Sequence, residues 1–138
     1  MAVTSLLPAT VITAAATLLS QTFDVKANGQ KLPLNMAAQA NFVYGSGGTT
    51  CKVYIQTSFD QGVTWCDVME FDFAVASLRE VGNVNRQTAV VPVAATDGTL
   101  AANTKNDGLV GRLWRAKVVS TGTYAGNTTL TVDILGED

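Results

Sequence analysis

The sequence lacks histidine altogether and is poor in charge: only 14% of its 138 residues are Asp, Glu, Lys or Arg. Without an imidazole there is no histidine general base, no Ser-His or Cys-His pair and no His-ligated zinc. Nine basic residues against eleven acidic ones give a formal net charge of -2, so no positive field is available to hold a phosphate backbone or an anionic bilayer. Neither nucleic acid nor a membrane surface is an expected partner. An ordinary soluble surface is about 25% charged, and here Thr, Ala, Asn, Gln and Gly stand in for the missing charge. Such a neutral surface suits outer faces covered by copies of the same chain or by another protein.

The length fits one compact domain, and a hydrophobic fraction of 47% supplies its core. Residues 10 to 20 form an apolar run, but no Lys or Arg precedes Lys26 and three threonines interrupt it. A secretory signal is therefore not expected, and the run is too short to cross a bilayer. Residues 1 to 20 read as an N-terminal arm or first strand, and residues 21 to 138 as a β-sandwich domain. An arm of small apolar and Thr residues suits docking on the sheet edge of a neighbouring subunit.

Strand patterns dominate the rest. Asn28-Gly29 between Thr22 to Ala27 and Gln30 to Leu34 suits a type I′ hairpin turn. Met36, Ala38, Ala40, Phe42 and Tyr44 alternate with polar residues up to a flexible Gly45-Ser46-Gly47-Gly48 loop. Val63, Trp65, Met69, Phe71, Phe73 and Val75 share one parity, broken by Asp67, which predicts a core strand. Glu80 to Gln87 reads as a polar loop, Thr88 to Ala94 with Pro92 as an edge strand, and Ala95 to Gly108 as a functional or subunit-contacting loop. Leu113 to Ser120 and Thr128 to Leu135 alternate again, with Trp114 on the core side. Seven or eight short strands at intervals of about 8 to 12 residues, without sustained helical periodicity, predict an all-β antiparallel sandwich, jelly-roll-like in its connections.

A turn near Asp60 and Gln61 makes the residue numbers of antiparallel partners sum to about 122. Cys51 then faces the region of Phe71 and Cys66 that of Gln56, on opposite faces of the sheet. Two buried, reduced thiols are the expected state, consistent with assembly in a cytoplasm.

Ser58-Phe59-Asp60-Gln61-Gly62-Val63-Thr64-Trp65 resembles the Asp box, S-x-D-x-G-x-T-W, of sialidases and unrelated β-proteins. In this tight turn the Asp60 carboxylate accepts backbone N–H bonds and Gly62 takes the left-handed conformation. Ser58 and Thr64 add hydroxyl bonds, and Trp65 folds under the loop. In sialidases these boxes do no chemistry, which implies a structural role for all five residues. One box cannot build a propeller, and no arginine cluster is present to grip a sialic-acid carboxylate. No metal or other cofactor is expected; calcium held by Asp60 with Asp67 or Asp72 is the lesser alternative.

The wider run from Phe42 to Phe73, with Val53-Tyr54-Ile55-Gln56-Thr57-Ser58 leading through the turn into Thr64-Trp65-Cys66-Asp67-Val68, resembles small β-sandwich proteins of tailed bacteriophage particles. The resemblance covers about a quarter of the chain. It implies a non-enzymatic virion protein that decorates or cements the capsid shell. Its implied partners are the major capsid protein or another virion protein, with assembly in the host bacterial cytoplasm. A tail or head-completion role, or a carbohydrate-binding sandwich, is the alternative. The low-charge surface adds a homo-oligomer, with a trimer favoured because it matches three-fold positions on a shell. No catalytic constellation is expected: Gly45 to Gly48 lacks the following Lys of a phosphate loop, and Glu70 and Asp72 read as a solvated strand face rather than an acid–base pair.

Overall fold

The computed structural model describes residues 3–27 and 31–137. These residues are all-β, with no α-helix among them. Eleven strands follow one another: β1 (Thr4–Val11), β2 (Ala16–Leu19), β3 (Phe23–Asp24), β4 (Asn35–Val43), β5 (Ser46–Gly47), β6 (Thr50–Ser58), β7 (Cys66–Phe73), β8 (Leu78–Asn85), β9 (Leu113–Thr121), β10 (Tyr124–Ala125) and β11 (Thr129–Glu137). A first sheet runs β1-β11-β4-β8 and a second β2-β9-β6-β7, with β3 also on β9. All their ladders are antiparallel. Setting aside the two-residue strands, the sheets take the first, eighth, third and sixth strands and the second, seventh, fourth and fifth. That is jelly-roll-like connectivity, in which successive long strands cross from sheet to sheet everywhere but at the β6–β7 hairpin.

Period-two alternation places the core between the sheets. β4 turns Met36, Ala38, Ala40 and Phe42 inward, β11 Leu130, Val132 and Ile134, β9 Trp114, Ala116 and Val118, and β6 Cys51, Val53 and Ile55. Phe42 stacks on Phe73 at 5.1 Å between centroids and meets Tyr124 edge-on at 5.6 Å. Burying each large apolar side chain of this set stabilises the fold by roughly 1.5–3 kcal/mol.

Several expectations are corrected by the packing. From Val3 onward, the segment expected as an arm or first strand supplies β1 and β2, one to each sheet. The Asn28-Gly29 turn, with Gln30, lies outside the described residues. Of Thr22 to Ala27 only β3 is a strand, and Lys31 to Leu34 is irregular; Leu34 donates to the Glu137 carbonyl and accepts from the Arg86 amide. The Gly45 to Gly48 loop is pinned, because β5 pairs with β10. Glu80 to Gln87 is mostly strand, as β8. Its inward pattern is hidden by Gly82, where a Cβ would lie 3.1 Å from the Met69 sulfur. Thr88 to Ala94 forms no strand, and Val91 and Val93 are exposed.

The register of the β6–β7 hairpin also differs. Cys51 faces Phe73 and Cys66 faces Thr57. A bulge between Ile55 and Gln56 spends one extra residue on β7, flips the parity beyond it and turns Cys66 to the same buried side as Cys51. Both thiols are free. Their separation of six residues along the hairpin, about 20 Å at the rise of a strand, is what keeps them apart. Burial pushes the Cys51 thiol up to about 12.

Candidate functional site

Three places gather polar chemistry or expose apolar surface: the hairpin turn and the two outer faces of the sandwich. At the turn, one Asp60 carboxylate oxygen accepts the Thr64 amide at 2.9 Å and the Ser58 hydroxyl at 2.9 Å. The other accepts the Thr64 hydroxyl. Ser58 Oγ in turn accepts the Gly62 amide at 2.8 Å. Gly62 has φ +87° and Gln61 φ +60°, so the chain passes through two left-handed residues where glycine costs least. The Thr64 hydroxyl and amide, then Ser58, hold the Asp60 carboxyl below the usual range. Asp60 therefore holds the turn. The Trp65 ring lies half-buried beside the turn, where a Cβ on Gly62 would come within 3.8 Å of it, and it packs against the Arg115 guanidinium at 4.3 Å, a cation–π contact. The turn displays its apolar residues outward, with Phe59 63% and Val63 80% exposed; Val75, also expected in the core, is exposed too.

The outer face of the second sheet carries Lys52, Gln56, Asp67, Glu70, Asp72, Arg115 and Lys117, and it is roofed by residues 96 to 106. Asp67 holds the roof. Its carboxylate, fully buried, accepts Gln56 Nε2, the Thr96 hydroxyl and the amides of Gly98, Thr99 and Leu100, all within 3.1 Å. The Asp67 amide donates to the Thr96 carbonyl, the Glu70 amide to the Thr104 carbonyl and the Asn106 amide to the Val68 carbonyl. These bonds close the edge of β7, which otherwise offers free pairing groups. Asp97, from the roof, ties Gln56 and Lys117 together. The signal for this hub is present in the sequence: Asp67 is the one residue that breaks the apolar parity of β7.

Glu70 and Asp72 face outward but do not form the solvated face expected of them. Glu70 is only 2% exposed. Its Oε1 accepts the Asn103 amide at 3.1 Å, while its Oε2 has no hydrogen-bond partner and lies 3.8 Å from Lys52 Nζ. Lys52 is closer to Asp72, at 2.9 Å. Burial, with the charge of Asp72 adding to it, pushes the Glu70 carboxyl up to about 7. This arrangement can store a proton, and a pocket of about 320 Å³ lies beside it, lined by Glu70, Glu80, Asn103, Thr104 and Lys105. Asp60 sits at the turn, Asp67 is saturated by donors and Asp72 is paired with Lys52. Among the described residues no three His, Cys, Asp or Glu side chains are grouped to hold a metal ion.

The outer face of the first sheet is the opposite case. Its residues are Asn35, Ala37, Gln39, Asn41 and Val43 of β4, Arg79, Val81, Asn83 and Asn85 of β8, and Thr131, Asp133 and Leu135 of β11, set side by side by the register. A shallow apolar groove of about 480 Å³ runs along it, lined by Val3 and by residues of these three strands alone. Val81 is 68% exposed. Asn83 Nδ2 donates to Asn35 Oδ1 across two strands at 2.8 Å. A second cleft, of mixed character, lies at the sandwich end, between Phe59, Gln61 and the Asp24–Arg112 pair.

No family model matches this chain, and neither a curated protein nor a solved structure matches it.

Proposed function

We propose that this chain is a non-enzymatic structural protein of a tailed-bacteriophage particle. In this reading it decorates or stabilises the capsid shell as a homo-oligomer, with the major capsid protein or another virion protein as its partner, and it assembles in the host bacterial cytoplasm. The observation that carries the reading is the bare outer face of the first sheet: an apolar groove framed by amides, with little charge, on a rigid sandwich. Faces of this kind are found where proteins pack on proteins. The polar cluster of the second sheet supports it from the other side, since Asp67 is committed to holding a loop and Asp72 to pairing with Lys52. The Phe42 to Phe73 resemblance to small phage sandwich proteins supplies the setting. The test is co-sedimentation of the purified protein with particles lacking it: saturable binding supports the proposal, and failure to bind contradicts it.

A carbohydrate-binding sandwich is the second reading. The cleft that favours it, of about 480 Å³, sets the exposed Phe59 ring beside Gln61 and a bidentate Asp24–Arg112 pair at 2.9 Å. An aromatic face and planar polar groups suit a neutral sugar ring. Chemical-shift changes confined to this cleft on titration with neutral hexose oligosaccharides, lost in Phe59→Ala, would favour it over the first.

A further inference from the structure

We infer that the outer face of the first sheet takes a second copy of this chain, in a two-fold, face-to-face contact. The inference deepens the reading of the chain as an assembling structural protein and rests on it. Three features of the face point to a copy of itself rather than to an unrelated partner.

The first is charge. Asp133 stands midway along β11, and Arg79, the second residue of the edge strand β8, lies opposite Asn41, with β4 between the two charges. Arg79 reaches only as far as Gln39 Oε1, at 3.4 Å, and Gln39 is the register partner of Asp133. Among the described residues neither charge belongs to an ion pair. An isologous contact repeats each residue pair in both directions. A two-fold axis passing between these positions therefore sets each copy's Arg79 opposite the other copy's Asp133, twice over, and neutralises both charges. The second is the amides: Asn35, Gln39, Asn41 and Asn83 each carry donors and an acceptor, so this surface is complementary to an identical one. The third is the apolar strip. Val81, Ala37 and Leu135 lie where face-to-face sheets interdigitate, at the spacing of about 10 Å seen in sandwiches. Four strands about 4.8 Å apart and eight or nine residues long outline a face of roughly 19 by 28 Å. With its side-chain relief, that area approaches the roughly 800 Å² per partner of a standard interface.

Sedimentation velocity over a concentration series tests the inference on the full chain. A two-fold contact gives a dimer, or a hexamer of three such pairs if a three-fold contact also exists elsewhere. Arg79→Asp and Asp133→Arg should each weaken the association by at least about tenfold, and the double variant should recover most of it, an outcome that general surface damage would not produce. Circular-dichroism melts establish that each variant is folded. A monomer at every concentration, a trimer as the sole assembly, or single variants that associate like the parent would each overturn the inference. Particle co-sedimentation of the same variants separates it from the proposed function: a dimer that binds no particle sinks the function alone, and a monomer that binds particles sinks the contact alone.

Discussion

The outer face of the second sheet carries three cationic side chains and three carboxylates, joined by Asp97 from the roof, and is partly covered by its own loop. The outer face of the first sheet carries mainly amides, alanine and valine and is left bare. The polarity of a strand's outward residues therefore does not tell which face meets water. A carboxylate is compatible with burial when donors converge on it, as five do on Asp67. An apolar face is compatible with exposure when something outside the chain is to cover it.

The largest expected effect belongs to the hub. Asp67→Ala leaves the Gln56 amide, the Thr96 hydroxyl and three backbone amides without their acceptor, and should cost about 3–5 kcal/mol in urea unfolding. It should also release hydrogen-exchange protection at Gly98 to Leu100. Val81→Ser on the bare face should change monomer stability by less than about 0.5 kcal/mol in the same measurement. Similar losses for the two variants would break the comparison.

The next effect is one of pH. The Glu70 carboxyl is raised from 4.5 to about 7, so the folded state binds its proton more tightly than the unfolded chain does. That stabilisation is complete below pH 4.5 and is lost as pH rises towards and through 7. Lys52, Tyr54 and Asp72 are the titratable groups around it. Stability should fall by on the order of 2 kcal/mol between pH 5 and 8, and Glu70→Gln, which keeps the shape and holds its donor at all pH values, should flatten that slope. A slope unchanged in Glu70→Gln would show that the proton sits elsewhere.

Smaller still is the hairpin. Trp65→Ala should cost about 1–2 kcal/mol, since a half-buried ring and its contact with Arg115 are lost. Asp60→Ala should lower Tm by less than Asp67→Ala does, with particle binding unchanged. Lost binding at full stability would make the turn a site instead of a scaffold.

How far the sequence foretold this molecule depended on whether a residue's surroundings were local. β4, β9 and β11 follow from plain alternation, and the turn from Ser58, Asp60, Gly62 and Thr64, whose partners lie within a few positions. β8 escaped because its inward Gly82 leaves room for Met69 and Phe71 from the other sheet, a reason seated far away in the chain. Cys66 and Trp65 were misplaced because one bulge in β7 reverses parity, and alternation carries no mark of an extra residue. Glu70 and Asp72 were assigned to solvent on the correct side of their strand, but the roof over them is some thirty residues further on. The bare face was foreshadowed only by the low overall charge.

The central claim, that the bare face is the assembly surface and the roofed face is not, is tested most directly by side-chain oxidative footprinting of the protein at low and high concentration. The account predicts that concentration protects Val81 and Leu135 while leaving Phe59, Val63 and Val91 as reactive as before. Protection at the hairpin tip or along the roof, with Val81 unchanged, would contradict it.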